Sequence, residues 1–140
     1  MANQLQEFVL HHWELWLALL AVLSLLLINE HITKKNGPQA LSTAEAIDAI
    51  NHQDAIVIDM REATAFQAGH VVGAKNHPGE PLGKLEKYKD KPLILVCARG
   101  LQSSALAVKL RKQGFANVTI LAGGITAWKT ANLPLTKGKK

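Results

Sequence analysis

One stretch of this chain combines a nucleophile with surroundings that would activate it: Val96-Cys97-Ala98-Arg99-Gly100-Leu101-Gln102-Ser103-Ser104. Cys97 closes an apolar run, and a short glycine-containing loop and a helix-like segment follow it. Backbone N–H groups and the positive end of a helix dipole would then face its sulfur. A free thiol has a pKa of about 8.5, and such neighbours lower it toward the nucleophilic thiolate, in front of which an anion can bind. A cysteine in an apolar strand also reads as a small buried hydrophobe, so spacing alone leaves both readings open. Cys97 is the only cysteine. That excludes an internal disulfide and any zinc cluster built on several thiolates, and it points to a reducing compartment. The six histidines show no metal spacing: His11 and His12 are adjacent, and no HExxH or Cys-His cluster exists. No metal and no cofactor are expected.

Positioning such a loop takes strands and helices, and from residue 38 onward the chain alternates them. Ser42-Thr43-Ala44-Glu45 has capping-box spacing ahead of Ile47 and Ile50, which predicts a short helix. Residues 55–59 (AIVID) form an apolar, β-branched run that fits a strand buried on both faces. REATAFQAGH then reads as a turn of helix closed by Gly69, followed by a short VVGAKN strand and the Pro78-Gly79 turn. Residues 82–88 have helical spacing, and LILVC is a second apolar strand ending at Cys97. The helix after it is expected to begin near Ser103, whose side chain can cap it, with Lys109, Arg111 and Lys112 in its last turns and Gly114 just beyond. VTILAGG is a third buried strand, leading into a short helix over 125–129. Continuous apolar strands joined by helices predict a mostly parallel sheet with helices on both faces, in which ligands sit at the carboxyl ends of strands.

The amino-terminal part is of a different kind. Lysine and arginine total 16 against 11 acidic residues, a net charge of +5, yet residues 1–28 hold no Lys or Arg and carry Glu7 and Glu14. The densest apolar part, Leu15 to Ile28, would reach only about 21 Å as a helix, against a hydrocarbon layer of about 30 Å. Counting from Phe8 gives 21 residues, with Trp13 and Trp16 as the amphipathic rings expected at headgroup level, and the span is expected over residues 9–28. The segment has neither the positive start and small-residue cleavage site of a signal peptide nor the polar stripe of a surface helix. Lys34 and Lys35 follow it directly, which predicts that the carboxy-terminal part faces the cytoplasm. Asn36-Gly37-Pro38 breaks the helix there. The expected organisation is an anchor and juxtamembrane segment over 1–36 and a soluble domain over 37–140.

Three ordered motifs resemble the rhodanese-like domain family. IDMREATAFQAGHVVGAKNHP is similar to its opening motif, with Asp59, Arg61, Gly69, His70, Gly73 and Ala74 in place. LAGGITAWKTANLPL is similar to its closing motif through Leu121, Gly123, Gly124, Trp128 and Pro134. Cys97 falls between them at the position of the family's sulfur-carrying cysteine. The resemblance covers about residues 38 to 137. It implies an α/β fold with a five-stranded parallel sheet flanked by helices, here preceded by one transmembrane helix, and transfer of sulfane sulfur through a persulfide on Cys97. It also implies that Ala98, Arg99, Gly100, Leu101, Gln102 and Ser103 form the substrate-binding loop.

The chain departs from the family at one loop position: the common Cys-x-x-Gly-x-Arg pattern has Gln102 where the arginine stands. A neutral amide supplies no charge, and charge-assisted bonds are roughly twice as strong as neutral ones, so thiosulfate handling should weaken unless Arg99 turns inward. A phosphatase of the Cys-x5-Arg type needs arginine six residues after the cysteine, where this chain has Ser103. Asp59 and Arg61 read as a structural ion pair, and His70 as a loop-organising residue. Gly123-Gly124 could hold an anion, although a tight turn explains it equally. Two functions remain open: a membrane-anchored sulfurtransferase, and a catalytically weak docking or sensing module on the same tether. The expected partners are a small sulfur-containing anion or thiol acceptor, membrane lipid through residues 9–28, and a membrane protein. The expected location is a bacterial inner membrane. With 5% aromatic residues there is no stacking platform for nucleic acid. Lys137, Lys139 and Lys140 can touch anionic lipid or simply solubilise the tail.

Overall fold

The computed structural model describes residues 1–79 and 82–139. It divides into two compact units, Met1–Gly37 and Pro38–Lys140.

The first unit is helical. α1 (Ala2–His11) ends where His12 leaves helical geometry at φ −118°, ψ 39°, and α2 (Trp13–Asn36) follows. Within α2 the apolar stretch Trp13–Ile32 is 20 residues long with a mean hydropathy of 2.0, enough by length and composition to cross a membrane. At 1.5 Å per residue it spans about 30 Å, the thickness that the 14-residue core alone could not reach. This moves the predicted span: residues 9–11 belong to the separate helix α1, and the apolar stretch continues past Ile28 to Ile32. Its side chains are exposed all round, from Leu15 and Leu19 to Leu25, Leu26 and Leu27. The side chains of Lys34 and Lys35, which carry the predicted orientation, lie outside the described residues, as does Lys140.

The second unit is built on a parallel five-stranded sheet in the order β1-β5-β4-β2-β3, formed by Gln39–Leu41, Ile56–Asp59, Lys75–Asn76, Leu93–Val96 and Val118–Leu121 in chain order. The central strands alternate between two cores. Val57, Ile94, Val96 and Leu121 meet Ala46, Phe66 and Trp128 on one face. Ile58, Leu93, Leu95 and Ile120 meet Leu85, Leu106, Leu110 and Phe115 on the other. Burial on both faces is why these strands read as largely apolar runs, broken only by the buried Asp59 and Thr119. Helices α3 (Thr43–His52), α4 (Ala63–Ala68), α5 (Leu82–Leu85), α6 (Leu101–Lys112) and α7 (Gly124–Thr130) connect and flank the sheet. The predicted capping box is formed: the Ser42 hydroxyl accepts the Glu45 N–H at 3.3 Å, and the Glu45 carboxylate accepts the Ser42 N–H at 2.8 Å.

Three local expectations change. The sequence pattern missed β1, an edge strand of three residues with only Leu41 buried, because one buried side chain leaves no periodic signature. VVGAKN contributes only Lys75–Asn76 to the sheet, since Gly73 at φ +79° closes a turn ahead of it. Residues 82–88 form one turn of α5 followed by a 3-10 turn over Glu86–Tyr88.

Candidate functional site

Cys97 stands one residue beyond β4, and the chain after it turns sharply enough to bring Gly100, at φ +95°, under the sulfur. The Gly100 N–H donates to Sγ at 2.9 Å, and the Ser103 hydroxyl oxygen lies 3.0 Å from Sγ. This corrects the expected helix start. α6 begins at Leu101 with Gly100 as its N-cap, so Ser103 is not the cap but lies inside the first turn. There its hydroxyl reaches Sγ and also donates to the Gly100 carbonyl at 3.3 Å, while Ser104 Oγ donates to the same carbonyl at 2.9 Å. Ser103, the expected cap, and its neighbour Ser104 are thus drawn into the turn by a glycine that can adopt a positive φ.

The thiol is buried, at 2% exposure. Burial alone pushes the Cys97 thiol up. The Ser103 hydroxyl and the N–H groups of Ser103, Gly100 and Arg99 outweigh that push, and the net result lies below the ordinary thiol value. A buried sulfur surrounded by donors is an anion holder, whatever it later reacts with.

The loop is braced from behind by α7. The Ile125 N–H donates to the Cys97 carbonyl at 2.9 Å, and the Thr126 N–H to the Ala98 carbonyl at 3.3 Å. These bonds also satisfy the otherwise orphaned donors of the first turn of α7. The approach needs Gly124. A Cβ there would collide with the Cys97 carbonyl oxygen and lie 2.8 Å from the Ala98 carbonyl carbon and oxygen, at a residue with φ +59°. Gly124 is therefore the close-packing position behind the loop, whereas a Cβ at Gly123, φ +71°, would meet the Ala127 side chain of its own helix. Trp128 extends the same brace: it is buried, and its indole N–H donates to the Pro134 carbonyl at 3.1 Å.

A cleft of about 500 Å³ opens beside the loop, lined by Met60, Ala65, Ala98 and Ala105 and by the polar groups of Arg61, Glu62 and Gln102. Cys97, buried, is not among the residues that line it. Arg61 is already engaged. Its guanidinium pairs with Asp59, itself fully buried, at 2.8 to 3.2 Å, and also donates to the Gly69 carbonyl at 2.7 Å. Asn76 ties the same corner by donating to the carbonyls of Asp59 and Arg61 at 3.1 and 2.8 Å. Arg99 and Leu101 are exposed, the latter at 82%. The structure thus gathers residues 97–103 with Gly123 and Gly124, and places Arg61 at the cleft wall with Asp59 buried beneath it. It leaves His70 and Gly73 elsewhere. His70 is buried and stacked on Phe66 with ring centroids 3.7 Å apart, its Nδ1 donating to the Phe66 carbonyl at 2.8 Å. Among the described residues no group of His, Cys, Asp and Glu could hold a metal ion.

A thiol-bearing loop at the carboxyl end of a central strand, clamped by a double-glycine helix start, coincides with a match of the rhodanese-like domain model over residues 42–131. The chain belongs to the rhodanese-like domain family. It is 37% identical to the protein YibN of Escherichia coli over 142 residues, covering 98% of this chain and 99% of that one. It is also 33% identical over 93 residues to thiosulfate sulfurtransferase GlpE of Pseudoalteromonas translucida, covering 65% of this chain and 89% of the other. Among solved structures, a thiosulfate sulfurtransferase from Pseudomonas aeruginosa superposes with a TM-score of 0.66 at 21% identity. That match covers 74% of this chain and 20% of that longer one, and it shows the fold. Sulfurtransferases thus stand among the relatives of this rhodanese-like protein.

Sequence reasoning passed over Thr126 and the cleft-wall residues Met60, Ala65 and Ala105. The alanines carry no chemical signal. Thr126 stands in the first turn of a predicted helix, where its type reads as ordinary helix-start chemistry.

Proposed function

We propose that this rhodanese-like protein is a membrane-anchored sulfurtransferase that carries sulfane sulfur as a persulfide on Cys97. The observation that supports it is the donor shell around Sγ: Gly100 N–H at 2.9 Å and Ser103 Oγ at 3.0 Å on a buried thiol. The Cys97 thiolate attacks the outer sulfur of the donor. The donor's S–S bond breaks, and its electron pair leaves with sulfite or a thiolate. Cys97 then holds the transferred sulfur as a persulfide anion, near donors already aimed at a negative charge. A thiol or cyanide acceptor attacks that outer sulfur and returns the Cys97 thiolate.

Gln102 tunes the donor step. It lines the cleft as a neutral amide, Arg61 is held by Asp59, and Arg99 points to the exposed side of the loop. A doubly charged donor therefore meets no dedicated cation in the cleft wall, so turnover with thiosulfate should be modest. α2 anchors the chain as a single pass, with the Lys34/Lys35 flank and the rhodanese-like domain on the cytoplasmic side of a bacterial inner membrane. A membrane protein is the expected neighbour for a sulfur carrier so tethered.

Intact-protein mass of the full chain in detergent micelles, after exposure to thiosulfate or to a small organic persulfide, tests the reading. One added sulfur is expected on the wild type, removed by cyanide and absent from Cys97→Ser. No added sulfur with either donor would leave the tethered docking or sensing module as the function.

A further inference from the structure

We propose that Thr126 is a positioning residue for the sulfur site: its side-chain hydroxyl fixes the Ala98–Arg99 peptide so that the loop's N–H groups face Cys97. The catalytic consequence rests on the sulfurtransferase reading, whereas the geometry does not. Thr126 Oγ1 donates to the Ala98 carbonyl at 2.9 Å, across 28 residues of chain, and its backbone N–H reaches the same oxygen at 3.3 Å. A peptide unit is planar and trans, so its C=O and N–H point in opposite directions. The unit whose oxygen is the Ala98 carbonyl carries the Arg99 N–H. Holding that oxygen toward α7 turns the Arg99 N–H away from α7 and toward the sulfur, and the Gly100 N–H, one peptide further on, closes on Sγ at 2.9 Å. The preceding unit is held likewise by Ile125 on the Cys97 carbonyl at 2.9 Å. A Cys97 pKa held below the ordinary thiol value, to which the Arg99 amide contributes, agrees with this orientation.

The two bonds from Thr126 differ in what they require. Almost any residue in the first turn of α7 supplies the backbone N–H. Only a hydroxyl side chain adds the second bond, and it is the shorter one. Threonine is not a strong helix former, and its hydroxyl commonly bonds back within its own helix. Thr130 shows that habit, its Oγ1 donating to the Thr126 carbonyl at 2.9 Å. Thr126 instead spends its hydroxyl on a loop carbonyl. It is exposed, so its replacement leaves no hole in the core.

The test uses the full chain in detergent micelles as wild type, Thr126→Val and Thr126→Ser. The rate of Cys97 alkylation by iodoacetamide is followed against pH, alongside the thermal midpoint and the shift of the Arg99 amide signal as Cys97 titrates. Thr126→Val should raise the apparent Cys97 pKa by about half a pH unit, roughly a threefold loss of thiolate at pH values below the wild-type pKa, and shrink the response of the Arg99 amide. Thr126→Ser should titrate like the wild type. A Thr126→Val profile that superimposes on the wild type, or a Thr126→Ser profile displaced as far as that of Thr126→Val, overturns the proposal. Displaced Thr126→Val and normal Thr126→Ser profiles in a protein that takes up no sulfur would uphold the positioning role and reject the sulfurtransferase reading.

Discussion

Replacing Ser103 by alanine isolates the hydroxyl that touches the reactive sulfur. Ser103 is fully buried, and its Oγ lies 3.0 Å from Sγ and 3.3 Å from the Gly100 carbonyl oxygen, so the hydroxyl proton has two places to go. With a neutral thiol, the S–H can donate to Oγ while the hydroxyl donates to Gly100. With a thiolate, the hydroxyl turns to the sulfur. A hydrogen bond to a charged group contributes about 1.5 to 3 kcal/mol, and one pKa unit corresponds to about 1.4 kcal/mol, so Ser103→Ala should raise the Cys97 pKa by about 1 to 2 units. Below the pKa each unit removes about nine-tenths of the thiolate, while the more basic thiolate that remains is about threefold more nucleophilic per unit. At pH values below the wild-type pKa the net alkylation rate should therefore fall by about 4- to 12-fold, and above the raised pKa the variant should overtake the wild type. That crossover, read from iodoacetamide rates between about pH 5 and 10, separates loss of a hydrogen bond from general damage. Superimposed profiles would mean that the hydroxyl stays on Gly100 and that amides alone hold the thiolate. Stability carries the same signature. The folded thiol titrates below the unfolded one, so the native state gains stability as pH rises from the folded value to the ordinary thiol range near pH 8.5, and loses it as pH falls through the folded value. Cys97→Ser should lack that segment of the pH–stability curve.

Gln102→Arg should increase thiosulfate:cyanide sulfurtransfer by about ten- to thirtyfold, the effect of one charge-assisted bond that tightens in the transition state, and Cys97→Ser should abolish it. A fast wild type unchanged by Gln102→Arg would show that the loop amides suffice. Gly124→Ala should cost about 2 to 5 kcal/mol, because a positive φ and a collision with the Cys97 and Ala98 carbonyls combine where the loop is already fastened. Gly73→Ala, with φ +79° and open space around its Cβ, should cost only about 1 to 2 kcal/mol; equal thermal midpoints for the two would refute the packing argument. Single cysteines at Asn3 and Lys137 in a Cys97→Ser background, treated with an impermeant reagent in intact cells, should be labelled at position 3 and not at 137, and the reverse pattern would invert the topology.

The sheet was legible where its strands are buried on both faces, since 55–59, 93–97 and 118–121 carry apolar runs that no surface element would show. It was illegible at its edges. Gln39–Leu41 pairs on one side only, and Lys75–Asn76 is two residues long, so neither presents a pattern to read. The motif residues were legible as chemistry but not as geometry. Asp59-x-Arg61 gave a paired charge, and the structure adds that the pair also grips the Gly69 carbonyl, which removes Arg61 from the anions it could otherwise bind. Ser103 gave a helix cap and proved to be a sulfur ligand, because the positive φ of Gly100 starts α6 two residues earlier than the polar residues suggest.

The same fact explains how a single cysteine can be both a core residue and a thiol with a lowered pKa, features of the two readings that its spacing left open. Val96 and Cys97 continue the burial of β4, so the sulfur begins in the apolar interior, where ionisation is costly. What reverses the balance is not a cation, for Arg99 lies on the exposed side and Gln102 is neutral. It is a set of N–H groups and one hydroxyl, none with a net charge, held in place by carbonyl contacts to α7. A neutral cradle stabilises a thiolate through orientation, and its strength depends on how firmly each peptide is held rather than on ionic strength. Raising salt should therefore leave the Cys97 titration nearly unmoved while substitutions in α7 shift it. A strong salt dependence would return the weight to Arg99.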